Sequence, residues 1–169
     1  MKKRLSYLLS SLLVGSICFI TAFYSCSNKP PAKPASNKGF VASPAPAIEQ
    51  DILYRINKHR QVSKLPPLLE NTAMAEEARQ HSVDMASHRV AFGHDGLNIR
   101  IKNISGRVTG ITQVGENVAY GSLTAEQVVN AWLKSPGHRA NIEGKFRFTG
   151  IGVARDNHAR LFFTQIFAR

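Results

Sequence analysis

Apolar residues return at helical spacing through Ile48, Ile52, Leu53 and Ile56, which predicts a first helix over Ile48–Val62. Lys64-Leu-Pro-Pro ends it, and Leu68 and Leu69 form a short apolar segment before the next element. Asn71 is a natural N-cap for a second helix running to about Ser87, with Glu76 and Glu77 near its positive end. That helix turns Met74, Ala75, Ala78, Val83, Met85 and Ala86 towards other elements. A loop, Val90–Gly96, leads to a short third helix, Leu97–Ile104, closed by Ser105 and Gly106. Val114–Ala119 is short, β-branched and bounded by glycine, and reads as extended. Thr124 caps a helix over Ala125–Lys134 with Val128, Val129 and Trp132 inward. Ser135 then reads as a fresh N-cap, with Pro136 opening a short turn through Ile142. Gly150–Ala154 and Leu161–Ala168 flank a turn at Asp156-Asn157 and predict a β-hairpin. Helices first and a hairpin last imply an α+β fold, with helices covering a small antiparallel sheet.

The first 46 residues follow other rules. A basic Met1–Arg4 precedes an apolar, serine-spotted Leu5–Ala22, the pattern of a secretory signal ending near residue 26. Ser25-Cys26-Ser27 suits ordinary cleavage, whereas Phe23-Tyr24-Ser25-Cys26 resembles a bacterial lipobox in which Cys26 would be acylated. An uncleaved anchor is the third reading, because the apolar stretch approaches the roughly 20 residues that span a bilayer. Residues 27–46 carry Pro30, Pro31, Pro34, Pro44 and Pro46 among Ala, Ser and Lys, and suit an extended spacer. Residues 47–169 are then one domain.

Charge sharpens this division. Six of the 22 basic residues and none of the 11 acidic residues precede residue 47, so the domain carries +5 (16 basic, 11 acidic) of the total +11. Its basic residues are scattered, without the clusters and interleaved aromatics of a nucleic-acid surface. Anionic envelope polymers or lipid headgroups suit such a face better. Both cysteines, Cys18 and Cys26, lie ahead of the domain, which therefore holds no internal disulfide.

Candidate chemistry gathers around Gly115–Ile142. Glu116 stands between a glycine and a short apolar segment, and His138 is presented from a Pro-Gly turn. His94, in Phe-Gly-His-Asp-Gly, sits on the upstream loop. Rigid backbone holding such groups is how pockets present polar atoms, so His94, Glu116 and His138 are expected in one cleft. Ser135, Asn117 and Gln165 are candidate lining residues. The plainer readings are a cap for Ser135 and backbone-bonding amides for Asn117, Asn141 and Gln165. His81, beside Ala78 and Met85, reads as a packing histidine, and His59, His88 and His158 as solvated.

Seven motifs in order carry a family resemblance: Ile-Asn-Lys-His-Arg (56–60) with Leu-Pro-Pro-Leu (65–68), Ala78-x-x-His-Ser-x-Asp-Met85, Phe92-Gly-His94, Gly115-Glu-Asn-Val-Ala119, Trp132-x-x-Ser-Pro-Gly-His-Arg-x-Asn-Ile142, Gly150-Ile-Gly-Val153 and Phe163-Thr-Gln165. They span about residues 50–168 and resemble the CAP superfamily (cysteine-rich secretory, antigen 5 and pathogenesis-related proteins), nearest its bacterial SCP-like branch. The resemblance implies an α-β-α sandwich with an open cleft, in a secreted or envelope-exposed protein. In many members two His and two Glu line that cleft and can hold a divalent metal. His94 and Glu116 match the first of each. Ser135 stands where the second Glu would fall and Phe162 where the second His would, with His138 as a partial substitute. Zn²⁺ at His94, Glu116 and His138 is the implied metal, and the sequence requires no cofactor.

Two functional classes follow. One is a non-catalytic envelope binding module that presents the cleft to a lipid, cell-wall or protein ligand. In this reading the membrane is met only through the N-terminal anchor. The other is a metal-assisted extracellular hydrolase using the same cleft.

Overall fold

A computed structural model describes residues 46–169. The signal, the Cys26 and nearly all of the linker assignments lie outside these residues. The elements run α1 (Pro46–Val62), β1 (Leu69–Glu70), α2 (Thr72–Ala86), α3 (Leu97–Ser105), β2 (Val114–Gly121), α4 (Ala125–Lys134), α5 (Pro136–Ile142), β3 (Phe148–Arg155) and β4 (Leu161–Ala168). The short apolar segment after Leu68 is thus a strand, and α1 begins two residues earlier than its apolar periodicity suggests. Local signals set several of the ends. The Asn71 side chain accepts from Met74 N, and Thr124 with Gln127 forms a reciprocal capping box.

The sheet has the order β1-β3-β4-β2. β3–β4 and β4–β2 are antiparallel, but β1 joins β3 in parallel, so the sheet is mixed and not purely antiparallel as expected. The reason is connectivity: β1 enters the edge of β3 from α1 and is separated from it in sequence by four intervening helices and β2.

Strand side chains alternate between faces, and this divides the core. Ile151, Val153, Phe163 and Phe167 pack with Ile52 and Ile56 of α1, Val128, Val129 and Trp132 of α4, and Ile142 of α5. On the other face, Ile166 and Ala168 meet Met74, Ala78 and Ile104, while Val118, Ala154 and Phe162 meet Met85 and Ala86. Helices therefore cover both faces of the sheet, giving the α-β-α sandwich. α2 lies directly on β3. A Cβ on Gly150 would run into the backbone of Met74 and Ala75, and one on Gly152 into that of Ala78 and Arg79.

Two buried charged side chains join the layers. Arg60 donates to the carbonyls of Pro66, Ile142, Gly144 and Phe146 at 2.6–3.3 Å, tying the end of α1 to the α5–β3 loop. Glu49 accepts from Val153 N at 2.9 Å and pairs with Arg79 at 2.6 Å, satisfying the part of the β3 edge that the two-residue β1 leaves bare. His59 is not simply solvated, since its Nε2 meets Glu143 Oε1 at 2.9 Å.

Candidate functional site

β2 is an edge strand, and the candidate residues assemble along its free side. Glu116 points to the α2 face, with its side chain 1% exposed. A buried carboxylate needs donors, and three N–H donors from two side chains supply them. Arg100 of α3 binds it bidentately, Nε to Oε2 at 2.9 Å and Nη2 to Oε1 at 2.8 Å. His94 Nδ1 lies 2.9 Å from Oε1 and donates to it, because an ionised carboxylate only accepts. The His94 side chain is 52% exposed, so its ring is open to solvent on the side away from Glu116.

Arg100 also organises the loop that carries His94. Its Nη1 donates to Asp95 O at 2.8 Å and approaches His81 Nδ1 at 3.1 Å. Guanidinium nitrogens only donate, so His81 Nδ1 must accept and Nε2–H donates to Gly93 O at 2.9 Å. His81 is thus more than a packing residue: it links Arg100 to the backbone between Phe92 and His94. Burial pushes its pKa down, the Gly93 bond partly opposes this, and the Arg100 charge lowers it further. A cavity of about 230 Å³ is lined in part by His81, Arg100, Asp95 and Ile99.

The other side of the site is α5. Asn117 is fully buried and donates to His138 O at 3.1 Å. Asn141 donates to Asn117 Oδ1 at 2.9 Å and to Glu116 O at 3.1 Å. A Cβ on Gly115 would sit 2.8 Å from Asn141 Oδ1, so glycine there lets α5 close onto β2. His138 is half-buried; burial lowers its pKa, and the nearby His94 lowers it further. His94 and Glu116 are thus in direct contact, and Asn117 ties the His138 backbone to the same strand.

Three expected residues stand differently. Ser135 is the residue before α5, but its side chain makes no capping hydrogen bond there. Gln165 is wholly buried within the sandwich, donating to Thr149 Oγ1 at 3.1 Å, and does not open onto solvent. Its Oε1 has no partner among the described residues. Phe162 is packed in the core and stacks on Tyr120, with ring centroids 5.6 Å apart. Arg100 had no signal in the sequence, since nothing in the α3 pattern separates it from an ordinary surface arginine.

The donor set does not fit the implied divalent metal. Both Glu116 oxygens already accept from a guanidinium held against them, and a metal bound there would face that positive charge. Among the described residues no group of three or more His, Cys, Asp or Glu is placed to hold a metal ion.

The sequence matches the CAP: Cysteine-rich secretory protein family over residues 53–167. The chain belongs to this family. Its CAP domain is 33% identical over 131 residues to the Bacillus subtilis protein YkwD, covering 75% of this chain and 50% of that protein. It is 32% identical over 119 residues to the B. subtilis membrane protein YlbC, covering 68% of this chain and 34% of the other. The chain thus spans half or less of the curated relatives it matches. Among solved structures, an extracellular protein containing an SCP domain from Bacillus anthracis aligns with TM-score 0.63 and 32% identity, over 73% of this chain and 40% of that one. An outer surface protein of Borrelia burgdorferi aligns with TM-score 0.66 and 18% identity, over 78% and 98% of the two chains, and shares the fold. The CAP sandwich here holds together without the cysteines of the family's name, since residues 47–169 contain none.

Proposed function

We propose that this CAP domain acts outside the cytoplasm as a non-catalytic binding module of the cell envelope. It presents His94 and His138, backed by Glu116, to a lipid, cell-wall or protein ligand. One observation carries the reading: the Glu116 carboxylate is bound by Arg100 and His94, so it is committed to holding His94 and not free as a base or metal ligand. Extracellular placement draws support from the SCP-domain protein of B. anthracis and from the basic and apolar N-terminal segment. Cys26 acylation would keep the protein at a membrane; fractionation of wild type and Cys26→Ala tests this, with unchanged membrane association excluding that anchor.

The competing class is a metal-assisted, protease-like hydrolase, favoured by one feature, an exposed imidazole backed by a carboxylate. Titration calorimetry with Zn²⁺, casein hydrolysis assays and sedimentation with isolated envelopes separate the two. Envelope binding lost in His94→Ala/His138→Ala, with no Zn²⁺-dependent hydrolysis, is the expected result. Zn²⁺-dependent hydrolysis abolished by Glu116→Gln would overturn it.

A further inference from the structure

The free side of β2 carries a second feature that the imidazoles do not explain. Phe92 and Tyr120 are 47% and 50% exposed, and their ring centroids lie 4.8 Å apart with planes tilted by 59°. Tyr120 stacks at 21° on the buried Phe162, so the pair is backed by the core and presented without much loss of side-chain freedom. Gly93, at φ +149°, places Phe92 and His94 on either side of a backbone conformation that favours glycine. The loop thus sets Phe92 against Tyr120 and His94 against Glu116.

We propose that Phe92, Tyr120 and His94 form a ledge for a polysaccharide strand, laid along the outer side of β2. The inference rests on the binding-module reading above and names the ligand class for that site. Tyr120 and Glu116 stand on the same face of β2, four residues and therefore about 13 Å apart. The ring pair and the imidazole thus stand at two points along the strand, which a linear polymer can touch together. A peptide would dock on an edge strand by adding a strand, but two carbonyls of β2 are already taken by side chains. Asn141 Nδ2 donates to Glu116 O at 3.1 Å and Trp132 Nε1 to Val118 O at 3.3 Å. An acyl chain seeks an enclosed apolar groove, and these rings stand half in water. A pyranose ring fits what remains: its C–H face lies on the electron-rich aromatic rings, and its hydroxyls meet the half-exposed His94 imidazole. Because Arg100 balances Glu116 and the domain carries +5 (16 basic, 11 acidic), an acidic polysaccharide is favoured over a neutral one.

The test uses the full chain with a hyaluronan octasaccharide as acidic sugar probe and poly-glutamate as an acidic polymer without sugar rings. Phe92→Leu and Tyr120→Leu keep apolar bulk but remove the ring face, and thermal melts confirm that each still folds. Hyaluronan affinity should fall about tenfold in each variant, with any poly-glutamate affinity unchanged. Absence of hyaluronan binding, or equal affinity in wild type and both variants, overturns the ledge. Envelope binding that needs His94 and His138 but ignores both aromatic variants would overturn the ledge while leaving the binding-module reading standing.

Discussion

Arg100 and Glu116, sixteen residues apart, form a buried bidentate ion pair beneath the exposed His94. Burying both charges is costly, and their geometry compensates only while both partners are present. Arg100→Met or Glu116→Leu alone should therefore destabilise the domain by about 3–5 kcal/mol. The double variant should lose distinctly less than the sum, a coupling that urea denaturation of the four proteins would read.

Stability should fall on mild acidification. His81 and His138 both have native pKa values depressed, chiefly by burial, below the ordinary 6.5. The unfolded chain then binds more protons than the native one as pH drops through 6.5 towards the depressed values. Their contribution is complete above that window and lost below it. Melts at pH 7.5 and 5.5 should show a lower midpoint in acid, and His81→Gln should reduce the difference. An equal acid shift in His81→Gln would show that other groups carry it.

Arg60 is 1% exposed and satisfies four carbonyls, at Pro66 and from the end of α5 to Phe146. Arg60→Met leaves those oxygens short of donors at a cost on the order of 3 kcal/mol. Arg60→Lys should recover little, because a single ammonium cannot match the forked donor set. Chemical denaturation of the two variants decides, and full recovery by lysine would show that charge alone matters.

Gly152→Ala should be among the most damaging single-methyl changes in the protein. The new Cβ meets helix backbone at Ala78 and Arg79, which cannot move aside as a side chain could. A loss of at least about 3 kcal/mol is expected, against a small effect for Gly137→Ala, where the added Cβ has nothing within 4 Å. Comparative melting temperatures test the pair.

Sequence by itself determined the elements and the chemistry-bearing loops. Helical periodicity in α1, the Asn71 and Thr124 caps, Pro136 at the start of α5 and the β3–β4 hairpin all arise from contacts within a few residues. His94, Glu116 and His138 stood out for the same local reason, as polar groups on glycine-bounded or Pro-Gly backbone. What those groups bond to was decided only by tertiary structure. Arg100 becomes the partner of Glu116 because its side chain reaches from α3 to β2, and His81 turns from a packing residue into a link because α2 brings it to Gly93 O. Gln165 looked like a cleft residue until the sheet register buried it opposite Asn117 and Ile151. The parallel pairing of β1 with β3 likewise depends on where α1 delivers the chain. Short-range patterns fix an element's kind and its apolar side, but the partner of a buried polar atom depends on how distant elements cross.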